Sequence, residues 1–206
     1  GLTHATQTVN YSCSHDEVRP EHEIIFYSQR YIQRPAGMTV QQLAHAKALL
    51  GLVTVLTAPG IPMLYAGQEF GEDAPRTIDF QPLHWDRLRQ PGVHAYLRLV
   101  KRLLAARRTR PALTSDHIRF YPDNFAQEQV VRFERLFFTE ESPEPADFVA
   151  VALNFGAVAR EIELALPWSG CWQELVSEQS YQVEQRCRLT LAPWQAVVLT
   201  HHCQQP

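Results

Sequence analysis

A histidine and an aspartate stand side by side early in the sequence, in the run Ser14-His15-Asp16. The same three residue types form hydrolase triads, in which the base must contact both the nucleophile and the carboxylate. Consecutive residues of a strand point to opposite faces, so these three side chains cannot converge in that way. His15 and Asp16 can face one site only where the regular pleat ends. We therefore predict that the pair lies at the end of a strand.

An acidic group follows a second apolar run at the corresponding position: Glu69, Glu72 and Asp73. In parallel α/β barrels, the site is built at the carboxyl ends of the strands. Carboxylates at such an edge can cleave a glycosidic bond, because one protonates the leaving oxygen and another attacks or stabilises the positive centre. The residue types alone favour a satisfied core histidine and an N-cap or turn aspartate as the interpretation of the first pair.

A helix and a strand are predicted ahead of the acidic group. Thr39 and Gln42 have the spacing of a capping box, so a helix begins at this threonine. It is apolar over a wide arc, and the Ala-Pro-Gly turn at residues 58–60 ends it. Residues 61–66 are typical of a strand buried on both faces, with Pro62 at its first position, where a missing N–H is tolerated.

The connections and the second helix complete the first half. Residues 17–38 are predicted to be a long polar connection with one irregular turn at residues 24–31. Apolar side chains at helical spacing predict a second helix over residues 93–108. Its last turn is crowded by basic side chains, which suit the helix dipole and could also bind phosphate: Arg107, Arg108 and Arg110. A solvated helix end is the simpler interpretation.

These elements form two β/α units, whose strands pair in parallel through right-handed crossovers. Two strands cannot cover the apolar faces of the helices, and the sequence starts inside a predicted strand. We therefore expect a fragment that about six further units precede, or one that pairs with another chain. Self-association through residues 9–16 or 61–66 is a further expectation.

The hydrophobic period changes from that of a helix to that of a strand after residue 114. Seven segments are predicted strands: residues 118–121, 130–138, 148–155, 161–166, 172–176, 183–191 and 195–200. Short strands at this density indicate a small antiparallel β-sandwich. We therefore predict two domains, residues 1–112 and residues 113–206.

Composition excludes several classes of function. The chain has 206 residues, 45% of them hydrophobic, and can bury a substantial core. A net charge of −3 creates no field that attracts nucleic acid or an anionic membrane. No apolar run approaches the ~18 residues of a membrane helix, and no signal pattern is visible. We expect a soluble cytoplasmic protein with neither a nucleic-acid nor a membrane partner.

The cysteines are widely spaced: Cys13, Cys171, Cys187 and Cys203. Without a C-x-x-C pair, a zinc ribbon is excluded, and free thiols in a reducing compartment are favoured. A bridge between Cys171 and Cys187 across neighbouring strands is the alternative. We predict no metal site and no cofactor.

Four stretches resemble the α-amylase superfamily, glycoside hydrolase family 13. Residues 9–16 resemble the region in which Asn-His-Asp or Ser-His-Asp closes the seventh barrel strand, and residues 58–69 resemble the eighth strand and the turn before it. Residues 96–113 are similar to the final barrel helix, and residues 191–199 to the closing strand of the C-terminal domain. The resemblance implies an α/β plus all-β fold: the last two units of a (β/α)8 TIM barrel, then an antiparallel β-sandwich.

The resemblance also implies roles for individual residues. Asp16 matches the third catalytic carboxylate, which binds sugar hydroxyls and stabilises the distorted ring, and His15 matches a neighbouring hydrogen-bond donor. Glu69 matches a residue that supports the site without touching sugar, and Tyr11 either lines the subsite or packs. The nucleophile and the acid/base of the family belong to earlier strands that are not in this sequence, so we predict that the chain alone hydrolyses nothing.

The implied function is that of the C-terminal part of a retaining hydrolase or transglycosylase. Its substrate is an α-1,4-linked glucan or maltooligosaccharide of the starch or glycogen type. The Ser-His-Asp-Glu phrase favours a glycogen branching enzyme, whereas Pro-Gly-Ile-Pro-Met-Leu-Tyr favours an amylase. A hypothesis of another class is a non-catalytic carbohydrate-binding module that stacks sugars on Trp168, Trp172 and Trp194; packed tryptophans are the simpler interpretation.

Overall fold

The computed structural model describes residues 3–28, 34 and 37–201. Its helices are α1 (Pro20–Ser28), α2 (Val40–Thr57), α3 (Pro91–Thr109), α4 (Pro111–Thr114) and α5 (Phe125–Glu128). Its strands are β1 (Val9–Asn10), β2 (Ile61–Pro62), β3 (Ile118–Phe120), β4 (Val130–Phe137), β5 (Asp147–Asn154), β6 (Arg160–Ala165), β7 (Gly170–Glu174), β8 (Ser180–Val183), β9 (Arg186–Leu191) and β10 (Ala196–His201). Short 3-10 turns cover Ala5–Gln7, Gln68–Phe70 and Trp85–Arg89.

Strands β1 and β2 pair in parallel, and α1 and α2 lie between them in the chain, as predicted for a β/α unit. The predicted strand over residues 61–66 is wrong in length, because pairing stops at Pro62. It is also wrong in burial, since Ile61 is half exposed. The proline is second in the strand rather than first. Its nitrogen faces away from β1, because the N–H groups on either side of it, those of Ile61 and Met63, donate to β1 and its approach.

The first residues differ from the prediction in two places. The part of the chain that the structure describes starts with the turn Ala5–Gln7 ahead of β1, rather than inside a strand. The connection after the His-Asp pair contains helix α1 where an irregular turn was predicted over residues 24–31; residues 29–31 lie outside the described part. Pro20 begins this helix and the exposed Glu23 lies in its first turn, both of which suit a helix start.

The capping box of α2 is confirmed. The Thr39 hydroxyl accepts from Gln42 N at 3.1 Å, and the Gln42 side chain accepts from Thr39 N at 2.8 Å. The helix ends at Thr57, before the predicted turn. Its wide apolar arc is buried, and Leu43, Leu52 and related side chains contact α3 and the main sheet in one core.

Two arginines bind the carboxyl end of α2. Arg107 of α3 is buried and donates to carbonyls in and just beyond the last turn: Leu56 (2.8 Å), Ala58 (3.1 Å) and Gly60. Arg135 of β4 is fully buried and donates to Thr57 O at 2.5 Å. The interpretation of Arg107 as a solvated residue is therefore wrong, because a buried helix end leaves carbonyls that need donors.

Strands β3-β4-β5-β10-β7-β8 form one antiparallel sheet in that order, and β6-β9 form a second. The small sheet covers one face of the large sheet, and α2 and α3 cover the other. Every residue of β5 is buried, which explains its continuous apolar sequence. The predicted strand over residues 183–191 is in fact divided between β8 and β9, which belong to different sheets.

The helices of the first predicted domain and the strands of the second share a hydrophobic core. The boundary at residues 112–113 therefore stays a prediction. Trp172 is fully buried and Trp194 nearly so, and Trp168 stacks on Trp172, so these tryptophans do not form an exposed row.

Cys13, Cys171 and Cys187 are free thiols; Cys203 lies outside the described residues. Within the described ranges, no helix has both the length and the apolar content of a membrane span. The same ranges contain no cluster of three or more His, Cys, Asp or Glu side chains that could hold a metal ion.

Candidate functional site

His15 and Asp16 lie in a loop of residues 11–19, which runs from the end of β1 to the start of α1. We call this the His-Asp loop. Since β1 and β2 are parallel, the chain that leaves β2, residues 63–72, starts from the same edge of the pair. The prediction that the pair lies at the end of a strand is wrong in position, because β1 ends at Asn10 and the pair lies in the loop that follows.

Side chains join the His-Asp loop to the segment after β2. Gln68 Nε2 donates to Ser12 Oγ at 2.6 Å, and Arg19 Nη1 donates to Ala66 O at 2.8 Å. The guanidinium of Arg19 also lies over the Tyr65 ring, 4.8 Å from its centroid. The ends of the two parallel strands therefore form one connected surface.

The His15 and Asp16 side chains are 80% and 69% exposed. His15 Nε2 lies 3.4 Å from Asp16 Oδ2, and the Asp16 N–H donates to Ser14 Oγ at 3.1 Å. Across the loop, Arg76 Nε donates to the His15 carbonyl at 3.0 Å, and its Nη2 lies 3.9 Å from Asp16 Oδ1. An exposed carboxylate beside an imidazole can accept from and donate to the hydroxyl groups of a sugar.

Among the described residues, no hydrogen bond or ion pair joins the other two predicted residues to the pair. Tyr11 is the first residue after β1 and is half exposed. Glu69 lies in the turn Gln68–Phe70, where its Oε2 accepts from Gly67 N at 2.8 Å. Glu69 therefore stabilises its own turn, next to Gln68, which reaches the His-Asp loop.

Glu72 has a role that sequence reasoning missed. It is 1% exposed and accepts hydrogen bonds from Asp73 N (3.1 Å), Ala74 N (3.1 Å), His84 N (2.8 Å) and His84 Nδ1 (3.0 Å). Burial alone would raise the pKa of this carboxyl, but the hydrogen bonds from His84 and Ala74 outweigh burial and hold the pKa at about 2. The carboxylate also raises the pKa of His84 through their hydrogen bond.

The backbone at Gly67 has no space beside it for a side chain. A Cβ at Gly67, which has φ +92°, would lie 2.8 Å from the Glu72 Cβ and 2.9 Å from Leu83 Cδ2. Only glycine fits this position, because the backbone is left-handed and the neighbours are in contact. The glycine before the turn Gln68–Phe70 thus allows Glu72, which follows the turn, to pack against the start of that turn.

Glu21 is a second missed residue. It is 4% exposed, and its Oε1 has no hydrogen-bond partner among the described residues. Burial raises its pKa to about 7, although the positive charge of Arg87 opposes this rise. The carboxyl lies beside Gly71 and His45, and burial lowers the pKa of the His45 imidazole.

Glu21 and His45 line a cavity of about 620 Å³ between α1, α2 and the start of α3. The sequence signal for both glutamates was weak, because Glu21 stands in a stretch interpreted as a polar connection and Glu72 was one member of an acidic group. The donors of Glu72 come from residues up to fifteen positions away. Only the folded chain brings these groups together.

Comparisons with known proteins decide the family. None of the protein-family models matches the sequence. The 1,4-alpha-glucan branching enzyme GlgB of Leifsonia xyli subsp. xyli is 31% identical over 170 residues, which cover 80% of this chain and 21% of the relative. Alpha-amylase MalA of Haloarcula japonica is 30% identical over 151 residues, which cover 71% of this chain and 18% of the relative. The chain belongs to the α-amylase superfamily.

Solved structures of related fold cover nearly the whole of this chain. The crystal structure of a pullulanase from Anoxybacillus sp. LM18-11, complexed with maltotetraose, has a TM-score of 0.70 at 18% identity, over 98% of this chain and 29% of that chain. The crystal structure of an Anoxybacillus alpha-amylase has a TM-score of 0.61 at 17% identity, over 93% of this chain and 37% of that chain. The superfamily chain spans about a fifth of the length of the curated relatives that it matches.

Proposed function

We propose that this chain is the C-terminal part of an α-glucan-acting glycoside hydrolase or transglycosylase and supplies one corner of its sugar site. The supporting observation is the parallel pairing of β1 with β2, which puts the His-Asp loop at a strand-end edge, where the sites of barrel enzymes lie. The names of the relatives support the substrate class, since they act on α-glucans. The similar pullulanase was crystallised with maltotetraose.

In this proposal Asp16 and His15 act on the ring at the bond that is cleaved. The Asp16 carboxylate accepts hydrogen bonds from sugar hydroxyls, and a His15 ring nitrogen donates one. These bonds strengthen as the ring flattens towards an oxocarbenium-like transition state, so they accelerate the reaction more than they tighten binding. Tyr11 lines the same edge, and Glu69 supports the adjoining turn.

Retaining glycosidases need a nucleophilic carboxylate and an acid/base in addition to such groups. We propose that both come from outside these 206 residues. The chain by itself should then release no reducing sugar from soluble starch. Release of reducing sugar by the purified chain would contradict this part of the proposal.

The test of the whole proposal uses the complete protein that carries these residues. With amylose as substrate, Asp16→Asn should lower kcat by about a thousandfold and change KM much less, because its contacts form mainly in the transition state. Asp86→Asn is the matched control, since Asp86 is also exposed but lies outside the His-Asp loop. A wild-type kcat in the Asp16 variant would refute the assignment.

Branching is the second candidate activity. A branching enzyme and an amylase match the chain at 31% and 30% identity, which favours neither. Iodine staining of amylose treated with the complete protein separates the two. A colour shift with little reducing sugar means branching, whereas loss of colour with reducing sugar means hydrolysis.

A tryptophan-based binding module is not proposed, because Trp172 and Trp194 are buried. Self-association through β1 or β2 is still a prediction. It is supported by the exposed apolar side chains of Val9 and Ile61, and light scattering would test it: a monomeric mass would count against it.

A further inference from the structure

The peptide group between His15 and Asp16 is held from both sides. Its N–H, on Asp16, donates to Ser14 Oγ at 3.1 Å, and its C=O, on His15, accepts from Arg76 Nε at 3.0 Å. The Ser14 hydroxyl itself donates to Glu17, which leaves its oxygen free to accept from Asp16. Because the peptide plane sets where both side chains start, these two hydrogen bonds orient the pair.

The loop that carries Arg76 is closed at its base by Glu72. This carboxylate accepts from Ala74 N at one end of the loop and from His84 N at the other. Between these anchors the residues are mostly exposed, and Ile78 and Phe80 are almost fully so. Arg76 is the residue of this loop that reaches the His-Asp loop.

Arg76 holds the His15 peptide through a hydrogen bond more than it attracts the Asp16 carboxylate through charge. Its nearest approach to the Asp16 carboxylate is 3.9 Å, and both side chains are largely exposed, so the attraction between the two charges is weak. The 3.0 Å bond to the His15 carbonyl is well formed. The His-Asp loop has no regular secondary structure beyond β1, so few other backbone bonds fix this peptide.

We propose that Arg76 is a positioning residue for His15 and Asp16, anchored by the Glu72 carboxylate on the opposite strand-end segment. The inference rests on the proposed function, since it assigns to that site the group that orients it. Displacement of catalytic groups by as little as 1 Å can cost a large factor in rate, so loss of Arg76 should affect kcat more than KM.

The kinetic experiment uses the complete protein and amylose. Arg76→Ala should lower kcat about tenfold while KM stays within about twofold. Millimolar guanidinium should restore part of the kcat of this variant, because the free ion can bind the vacated carbonyl. Arg98→Ala removes an exposed arginine that bonds to His94 and lies outside the His-Asp loop, so this variant should keep wild-type kinetics and show no response to guanidinium. A wild-type kcat, or a fall that guanidinium does not relieve, would overturn the proposal.

A second measurement does not depend on activity. Backbone ¹⁵N relaxation of the chain should give the His15 and Asp16 amides order parameters near those of rigid backbone, about 0.85, and clearly lower values in Arg76→Ala. Arg98→Ala should leave them unchanged. Unchanged values in Arg76→Ala would overturn the inference even if the enzyme acts on glucan.

The kinetic and the relaxation experiments together distinguish failure of the proposed function from failure of the role of Arg76. If the wild-type protein does not act on amylose, the proposed function fails, and the relaxation data still decide whether Arg76 orders the pair. If the wild type is active and Asp16→Asn is not, but Arg76→Ala is fully active, the proposed function stands and the role of Arg76 falls.

Discussion

Two buried glutamates lie near the candidate site, and their pKa values differ. Glu72 is surrounded by donors and has a pKa of about 2, so it is ionised at neutral pH. Glu21 has an unpartnered Oε1 and a pKa of about 7. Both are almost inaccessible to solvent. Burial therefore does not decide the charge of a carboxyl group; the donors that replace the lost water decide it.

The difference has a structural meaning. Glu72 closes the loop that carries Arg76. Its ionised carboxylate accepts from five N–H donors, the fifth on Arg87, and holds both ends of that loop firmly. Glu21 lies in the first turn of α1, and its burial favours the protonated form more than the unfolded chain does.

Removal of the charged anchor should have the largest effect. Glu72→Ala leaves buried N–H groups without an acceptor, and we expect the free energy of unfolding at pH 7 to fall by about 4 kcal/mol. Urea denaturation followed by circular dichroism measures this. Glu140→Ala, at an exposed position, is the control and should change stability little. A loss below about 1 kcal/mol would mean that Glu72 is not the anchor.

Glu21→Gln tests the neutral glutamate. The pKa is 4.5 unfolded and about 7 folded, so the stabilising contribution of the bound proton is complete below pH 4.5 and is lost as pH rises towards and through 7. Glutamine carries no such dependence. The stability of the variant relative to wild type should therefore rise by about 3 kcal/mol between pH 4 and pH 8.

The matched control for this prediction is Glu23→Gln, which removes an exposed carboxyl from the same helix turn. Its stability relative to wild type should stay nearly flat over the same pH range. Parallel curves for Glu21→Gln and wild type would show that Glu21 is not buried with a raised pKa.

Arg87 offers the smallest expected effect, because its charge acts on both glutamates. It lowers the pKa of Glu21, and its Nη1 lies 3.4 Å from Glu72 Oε1. Arg87→Gln should therefore raise the pKa of each carboxyl by a fraction of a unit, while the pKa of Glu21 stays well above that of Glu72. Carboxyl ¹³C titration by NMR measures both; loss of the difference between the two pKa values would contradict the comparison.

Local signals in the sequence predicted much of the fold. The capping box at Thr39 placed the start of α2, and the strand predicted over residues 148–155 is found as β5. These two features succeed because neighbouring residues determine them. The parallel pairing of β1 with β2 followed instead from the order of the elements along the chain.

Features that depend on distant partners were not predictable. Arg107 resembled any basic residue in a last helical turn, and only the position of α2 shows that it binds carbonyls about fifty residues away. Glu72 was one member of an acidic group, and its donors come from a later turn. His15 and Asp16 could be named from their types and from a resemblance, whereas Arg76 could not, because its partner is 61 residues distant.

The arginine pair at the end of α2 has a consequence for how the protein melts. Arg107 comes from α3 and Arg135 from β4, so the last carbonyls of one helix are shared between elements on both sides of residue 112. Neither side can open without leaving those carbonyls or those guanidinium groups unpaired. Heating should therefore produce a single calorimetric transition, in which the helices and the sheet are lost together.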